Sequence, residues 1–234
     1  MPDGSRGDVA IALLAAGRGS RLGGDDAKPL VEWRGRPLLA WALDAAIASH
    51  LHPIVVITGY ERAAVRAVLG DRFGGFQGVD EAHNRHWRQG IASSLVTAID
   101  FVDGYTRVGA LCIGLADQPL VGADAYLRLA AAYHDGAELA VATYDGQRGN
   151  PVLLARSLWP EARELEGDVG ARVLMQRHEV VEVACDDTGS PADVDTYADL
   201  HTPDHLHPLD HLHPLGQHDP GRGDAREPTT EETA

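Results

Sequence analysis

Residues 13–24, LLAAGRGSRLGG, combine a glycine-rich turn with the cationic side chains of Arg18 and Arg21, and Lys28 follows shortly afterwards. The small residues of this turn, which leave the backbone open to close approach by a base and a ribose, are Ala15, Ala16 and Gly17. Arg21 and Lys28 have the chemistry to clamp a polyphosphate whose oxygens gain charge in a transition state. The alternative is a surface turn whose charges are simply solvated.

Two common phosphate-binding motifs do not describe this turn. A dinucleotide fingerprint, G-x-G-x-x-G, starting at Gly17 and Gly19 would need a third glycine where Leu22 stands. A P-loop, G-x-x-x-x-G-K-[ST], fits the spacing of Gly19 and Gly24 but has Asp25 in place of the lysine. The turn therefore belongs to neither class.

Candidate metal-binding carboxylates occur at two places. Asp117 ends the apolar run GALCIGLAD, where a carboxylate is costly unless it is paired or binds a cation, and Pro119 takes the chain out of the sheet. The alternative role for Asp117 is to cap a helix that begins after Val121. Asp193 and Asp195 are two residues apart, so on an extended chain their side chains point to the same face.

The composition excludes several classes of protein. The net charge of −15 argues against a nucleic-acid surface, so phosphates would need a local positive pocket and a divalent cation. No apolar run reaches the roughly 18 residues of a membrane span, and the polar N-terminus does not resemble a signal peptide. Cys112 and Cys185 lie far apart in apolar segments, which favours reduced core thiols and a cytoplasmic protein.

Apolar runs alternate with amphipathic segments along the chain. The predicted strands are 9–14, 54–59, 109–117, 138–144, 150–155 and, at an edge, 179–185. The predicted helices are 37–49, 61–70, 90–102, 124–134 and 167–178. This order predicts a three-layer α/β/α fold with a mostly parallel sheet. Ligands bind such sheets at the carboxyl ends of the strands, which places the loop at 15–28, Gly59 and Asp117 along one rim.

Three regions follow from this pattern: a flexible N-terminus at 1–8, one folded domain at 9–203 and a tail at 204–234. The tail contains DHLHPL twice in tandem and is rich in proline, glycine and acidic residues, so we expect it to be disordered. Its histidines leave two roles open, transition-metal capture or a solvated low-complexity segment.

The turn LLAAGRGSRLGG…K resembles the signature L-A-[AG]-G-x-x-x-R-[ML]-G-x-x-K of the MobA-like nucleotidyltransferases. Further segments that resemble this family in order are VVITGY, HNRHWRQGIASSL, GLADQPLV, RGNPVLL, GDVGAR and DVDTYADL. The resemblance covers roughly residues 9–200 and is greatest to the molybdenum cofactor cytidylyltransferase branch. It implies a Rossmann-like nucleotidyltransferase fold.

The resemblance also implies a reaction. A nucleotide would pass from an NTP to a phosphorylated acceptor, with release of pyrophosphate and with Mg²⁺ as cofactor. Lys28, Arg21 and Asp117 would be the catalytic residues, and Asp117 would also bind the metal. Asp195 would be the second metal ligand with Asp193 supporting it, although this sequence has Tyr197 where the family pattern has proline, and Asp195 could instead cap a helix.

The same resemblance implies two binding sites. The nucleotide-binding residues would be Leu14, Ala15, Ala16, Gly17, Arg18, Gly19, Gly59, Gly90, Ser93 and Ser94. Gly90 allows close approach and the serine hydroxyls can bond a base edge, unless they cap the following helix. LAAG instead of LAGG, together with the SSL segment, favours CTP over GTP.

The acceptor-binding residues would be Gln118, Pro119, Gly149, Asn150, Pro151, Asp168 and Arg172. Many relatives have G-H-P where this chain has Gly149-Asn150-Pro151, and Arg172 could instead be an exposed helix charge. The implied acceptor is the molybdenum cofactor, with a molybdoenzyme or its accessory chaperone as a partner, and no nucleic acid or membrane. The alternatives are a guanylyltransferase, another small phosphorylated acceptor, and a non-catalytic cofactor- or metal-handling protein.

Overall fold

A seven-stranded sheet runs through the part of the chain that the computed structural model describes, which is residues 6–19, 27–73 and 78–192. The strands, in chain order, are β1 (Asp8–Ala15), β2 (Glu32–Trp33), β3 (Arg36–Pro37), β4 (Ile54–Thr58), β5 (Val79–His83), β6 (Val108–Leu115), β7 (Leu139–Tyr144), β8 (Gln147–Ala155) and β9 (Val181–Ala184). The helices are α1 (Leu38–Ala48), α2 (Arg62–Phe73), α3 (Ile91–Asp103), α4 (Ala123–His134) and α5 (Trp159–Ala162). Among these residues, no helix is long and apolar enough to cross a membrane.

The sheet has the strand order β5-β4-β1-β6-β8-β7-β9, and β2 pairs with β3 in a separate short hairpin. Strands β5, β4, β1 and β6 are parallel to one another, and the edge strand β9 is parallel to β7. Strand β8 is antiparallel to both β6 and β7. The predicted mostly parallel sheet is therefore confirmed, and so is the edge position of the strand predicted at 179–185.

Apolar side chains leave both faces of the central strand β1. Val9, Ile11 and Leu13 pack in a core cluster with α1 and α4, whereas Ala10 and Ala12 pack in a second cluster with α3 and α5. A strand that is buried on both faces reads as a continuous apolar run, which is why the sequence pattern identified it. The predicted three-layer α/β/α architecture is confirmed.

The second half of the sheet differs from the sequence prediction. The strand predicted at 150–155 is the nine-residue β8, which begins at Gln147 and forms a hairpin with β7. Asp145 and Gly146, with φ values of 49° and 71°, form the two-residue turn between these strands. Positive φ at both positions matches the twist of a hairpin, and Asp-Gly is a favoured pair there.

The helix predicted at 167–178 is wrong. This segment consists of turns with one short 3-10 helix at Leu174–Gln176. Gly167 has a φ of 71°, which is not helical, and its carbonyl oxygen accepts a hydrogen bond from the amide of Ala92 at the start of α3. The amphipathic pattern of the segment is used for packing against α3 instead of for a helix.

Two predicted boundaries are also corrected. Helix α2 continues past Gly70 to Phe73, because an exposed glycine in a helix lowers stability without ending the helix. The folded part begins earlier than the predicted boundary after residue 8. Asp8 belongs to β1, and Arg6 donates a hydrogen bond of 2.8 Å to the carbonyl of Ala137. Residues 1–5 and the predicted tail at 204–234 lie outside the described residues.

The hairpin turn predicts opposite effects for two glycine-to-alanine substitutions. Gly146→Ala should lower the free energy of unfolding by about 1–2 kcal/mol, since a side chain disfavours positive φ. Gly70→Ala, the matched control in helical backbone, should raise it by about 0.5–1 kcal/mol. A Cβ at either position meets no other atom within 4 Å, so neither effect includes a clash. Urea denaturation measures both, and a stabilising Gly146→Ala would contradict the turn assignment.

Candidate active site

A cleft of about 520 Å³ opens at the carboxyl ends of the parallel strands, and we call it the β1 cleft. Its wall includes residues 14–19, Lys28, Gly90, Ser94 and Asp117. The structure thus brings together most of the residues predicted to contact the nucleotide. Arg21 lies outside the described residues.

Lys28 and Asp117 form an ion pair in this cleft, with 2.7 Å between Nζ and Oδ2. Asp117 follows β6 by two residues, and Lys28 begins a 3-10 helix at Lys28–Leu30. Gly19 allows the turn to close on this lysine, because a Cβ on Gly19 would lie 2.4 Å from the Cβ of Lys28. The alternative cap role for Asp117 is excluded, since α4 begins after Gly122 and has no side-chain cap.

Gly17 and Gly59 serve different purposes. A Cβ on Gly17 would meet no atom within 4 Å, so this part of the turn leaves space open for a ligand. A Cβ on Gly59 would lie 2.7 Å from both the carbonyl oxygen of Ala16 and the Cβ of Trp87. Gly59 is buried and does not line the cleft, so it permits close packing behind the wall and we no longer assign it a nucleotide contact.

Glu81 on β5 fixes the end of β4, from which the loop behind the cleft starts. Arg62 donates to both carboxylate oxygens of Glu81 at 2.9 Å, and the hydroxyl of Thr58 also donates to it. These hydrogen bonds lower the pKa of the Glu81 carboxyl, and the one from Arg62 has the largest effect. The carboxyl group therefore stays charged near neutral pH.

Asn84 forms hydrogen bonds with two serines in the first turn of α3. Its side-chain amide donates to Ser93 Oγ at 2.8 Å and to Ser94 Oγ at 3.0 Å, and Asn84 itself is 1% exposed. Ser94 lines the β1 cleft, whereas Ser93 faces a different depression and donates to the carbonyl of Gly90. Neither serine caps α3, which begins after Gly90 without a side-chain cap.

A second cleft of about 480 Å³, which we call the β8 cleft, adjoins the first. Apolar residues of four strands lie on its wall, namely Leu14, Ile113, Leu115, Val141 and Val152, and the other main parts are residues 148–150 of β8 and 168–173. Predicted acceptor residues Gly149, Asn150, Asp168 and Arg172 are among them. Leu14, Ile91, Leu115 and Asp168 line both clefts, so the two sites share a wall.

A bulge in β8 presents Gly149 and Asn150 to the β8 cleft. Val141 and Thr143 are two residues apart on β7, yet their partners on β8, Val152 and Arg148, are four residues apart. The Tyr144 hydroxyl donates to the carbonyl of Asn150 at 3.0 Å and steadies the bulge. Burial raises the pKa of Tyr144, so this hydroxyl remains a neutral donor.

Three predicted acceptor residues do not reach the β8 cleft. Gln118 is 4% exposed, and its amide donates to the carbonyl of Pro191 at 2.8 Å. Pro119 and Pro151 are buried and also absent from the cleft wall. These residues therefore lie off the wall of the β8 cleft, and the hydrogen bond of Gln118 ties two chain segments together. Arg172 is exposed at the cleft and lies in a turn, not in a helix.

The second pair of candidate metal ligands, Asp193 and Asp195, lies outside the described residues. The described chain approaches them at Pro191, which contacts Gln118, the residue after Asp117. Within the described ranges, no group of three or more His, Cys, Asp or Glu side chains could hold a metal ion. Of the predicted ligands, the structure therefore describes the carboxylate of Asp117.

Sequence reasoning missed several residues of these walls. Trp87 and Arg88 line the β1 cleft, and Arg148 and Met175 line the β8 cleft. The available signal for the first two was an aromatic residue beside a cation in the predicted loop that precedes Gly90.

An α/β fold with a glycine-turn cleft and a strand-end carboxylate defines a class of nucleotide-binding proteins. The sequence matches the MobA-like NTP transferase domain over residues 11–183, most of the chain. The chain therefore belongs to the MobA-like NTP transferase family, a family of nucleotidyltransferases.

Two curated relatives differ in name and extent. The chain is 30% identical over 198 residues to nicotine blue oxidoreductase from Paenarthrobacter nicotinovorans. This match covers 80% of this chain and 92% of that protein. It is 29% identical over 151 residues to the bifunctional protein GlmU of Symbiobacterium thermophilum, which covers 64% of this chain. The match spans 30% of the length of that bifunctional protein.

Solved structures share the fold. Rv0371c from Mycobacterium tuberculosis H37Rv has a TM-score of 0.71 at 30% identity, covering 84% of this chain and 97% of that one. A complex of Rv0371c with manganese has a TM-score of 0.67 at 28% identity, covering 83% and 96%. Molybdopterin-guanine dinucleotide biosynthesis protein A from Archaeoglobus fulgidus has a TM-score of 0.60 at 18% identity, covering 82% and 95%. The predicted nucleotidyltransferase fold is confirmed.

The close contact between Gly90 and Gly167, which joins the walls of the two clefts, predicts an effect of Gly90→Ala. Gly90 has a φ of 99°, and a Cβ there would lie 2.3 Å from the carbonyl carbon and oxygen of Gly167. The substitution should lower the free energy of unfolding by about 2–4 kcal/mol, through backbone strain and overpacking. Gly17→Ala, which meets no atom, is the matched control and should leave it within about 0.5 kcal/mol. Thermal or chemical denaturation measures both, and equal stability of the two variants would contradict the described contact.

Proposed function

We propose that this protein is a Mg²⁺-dependent nucleotidyltransferase that transfers a nucleotide from CTP to the phosphate of the molybdenum cofactor. The nucleotide occupies the β1 cleft and the acceptor occupies the β8 cleft. The observation that carries the proposal is the Lys28–Asp117 pair in a cleft that shares a wall with a second one. A shared wall lets two bound phosphates meet for in-line attack with release of pyrophosphate.

Different residues of the β1 cleft bind different parts of the Mg²⁺-bound triphosphate. The Lys28 ammonium is a compact charge that contacts the α-phosphate and the departing pyrophosphate, and Arg21 supports it. The Asp117 carboxylate supplies oxygen ligands of the kind Mg²⁺ prefers, together with Asp195 and Asp193. Mg²⁺, when bound, supplies the charge that neutralises the phosphate oxygens. Small residues at 15–17 admit the nucleoside, and Ser94 faces its base.

The β8 cleft favours an acceptor that carries a flat ring system with polar edges. Apolar side chains from four strands and from α3 dominate its wall, and polar groups such as Asn150 and Arg172 lie among them. A sugar phosphate would leave many hydroxyl groups against such a surface without partners. A pterin ring fits it, and the Arg172 guanidinium suits its phosphate.

A second candidate function is the reduction of a small aromatic compound. It is favoured by the match to nicotine blue oxidoreductase over nearly its whole length. Such an activity would consume a reductant such as NAD(P)H and would not require an NTP. The two functions can therefore be told apart by which co-substrate disappears.

The direct test measures pyrophosphate release with CTP and with GTP, each with Mg²⁺ and with or without molybdenum cofactor. We expect release with CTP that depends on the acceptor, and a loss of at least about 100-fold in kcat/KM for Asp117→Asn. Asp124→Asn, an exposed acidic position on α4, is the matched control and should retain the wild-type rate.

Each other outcome assigns a different function. Turnover with GTP alone would replace the cytidylyltransferase with a guanylyltransferase, and turnover with other phosphorylated compounds would replace the acceptor. NAD(P)H oxidation without any NTP turnover would favour the oxidoreductase. Full activity of Asp117→Asn would overturn the metal-binding role.

The apolar wall of the β8 cleft predicts an acceptor-specific defect. Val169 lines this cleft and is 41% exposed, so Val169→Asp should fold normally yet raise the KM for the acceptor about 10-fold, the effect of losing roughly 1.4 kcal/mol of apolar contact. The KM for the NTP should not change. Val181→Asp is the matched control, because Val181 is 38% exposed on β9 and does not line the cleft. Steady-state kinetics with each substrate varied would show the difference, and equal effects of the two variants would contradict the ring-binding role.

A further inference from the structure

Four side chains along one side of the β1 cleft form a series in which two aromatic rings lie between two cations. The guanidinium carbon of Arg18 lies 5.5 Å from the ring centre of Tyr60, and the rings of Tyr60 and Trp87 are 5.4 Å apart. The guanidinium carbon of Arg88 lies 4.4 Å from the ring centre of Trp87. Arg18, Trp87 and Arg88 line the cleft, so the series borders the place where a nucleotide would bind.

The fold fixes the indole of Trp87 through backbone contacts. Trp87 begins the 3-10 helix Trp87–Gln89, directly before α3. Its Cβ fits against Gly59 because that residue has no side chain. Tyr60 is anchored in turn by a hydrogen bond of 3.1 Å from its amide to the carbonyl of Ala16. The aromatic part of the series therefore belongs to the packed structure and can orient an exposed arginine.

Arg88 differs from the other cations of the cleft in its surroundings. The charge of Lys28 is balanced by Asp117 at 2.7 Å. Arg88 is exposed, and within the described ranges the ring of Trp87 is its contact and no carboxylate forms an ion pair with it. When the flat face of a guanidinium stacks on an aromatic ring, its N–H groups still point outward in the guanidinium plane. They can then donate two parallel hydrogen bonds to phosphate oxygens.

We propose that Arg88 binds a phosphate of the nucleotide triphosphate and that Trp87 positions the Arg88 guanidinium for this contact. The proposal rests on the proposed function in placing the nucleotide in the β1 cleft. The triphosphate is the source of the phosphate because Arg88 lines this cleft and does not line the β8 cleft. In a chain of net charge −15, a triphosphate needs such local cations to bind.

The test is calorimetric titration of the full-length protein with inorganic tripolyphosphate in the presence of Mg²⁺, which requires no turnover. Arg88→Ala should weaken binding about 10-fold, the effect of losing a charge-assisted hydrogen bond. Arg85→Ala is the matched control, because Arg85 is exposed in the same loop and does not line the cleft. Its affinity should equal that of the wild type. Thermal melting checks that each variant is folded.

A double-mutant cycle tests the positioning role of Trp87. Trp87→Leu should weaken tripolyphosphate binding about 3-fold, and Trp87→Phe, which keeps a ring, should restore part of the loss. In the Arg88→Ala background, Trp87→Leu should have no further effect, since it acts through the missing guanidinium. An equal effect in both backgrounds would show that Trp87 has a structural role alone.

The outcomes separate this proposal from the proposed function. Wild-type affinity of Arg88→Ala, or no binding of tripolyphosphate by the wild type, would overturn the phosphate contact. A rise in the acceptor KM with unchanged tripolyphosphate affinity would also overturn it, by assigning Arg88 to the acceptor. If no NTP supports turnover but Arg88→Ala still weakens binding, the proposed function fails and the phosphate contact stands.

Discussion

The ion pair between Lys28 and Asp117 depends on the pairing of two neighbouring strands. Strands β1 and β6 are parallel and in register from Val9 to Leu14, with Leu14 opposite Leu115. Asp117 leaves β6 just beyond this point, and the glycine turn that leads to Lys28 leaves β1 there. A shift of one residue would exchange the larger side chains that β1 presents to one core cluster with the alanines that it presents to the other, so the packing of β1 also fixes the position of the site. Removing one partner would leave a partly buried charge uncompensated, which is strongly unfavourable.

Backbone contacts between loops give the clefts their shape. The turn after β1, the loop after β4 and the loop before α3 pack together at Gly59 without room for a side chain. The segment at 167–168 packs equally tightly against Gly90, which joins the wall of one cleft to that of the other. Such close approaches require glycine and fix the distance between the two sites more firmly than flexible side chains would. The relative placement of the two clefts is therefore a property of the folded backbone.

The sequence predicted the part of the fold in which local pattern and tertiary packing agree. The runs that became β1, β4 and β6 are apolar on both faces, and the residues after them fell on one rim because parallel strands share an orientation. The Asp145-Gly146 pair indicates a hairpin turn, and without it the strand β8 was predicted too short. The segment at 167–178 has a helical pattern, but the contact of Gly167 with α3 overrides it. Trp87 and Arg88 were missed for a different reason, since their arrangement depends on Gly59 and Tyr60 from another loop, and no spacing along the chain encodes that proximity.

The chemistry that this scaffold performs is determined by the loops and not by the sheet. The similar proteins include one named for the biosynthesis of a dinucleotide and one named as an oxidoreductase, so the fold alone does not select a reaction. The β8 cleft is apolar at its strands and suits a ring, which both kinds of substrate can offer. What favours nucleotide transfer is the β1 cleft, where a lysine and a carboxylate stand in direct contact beside a turn without side chains.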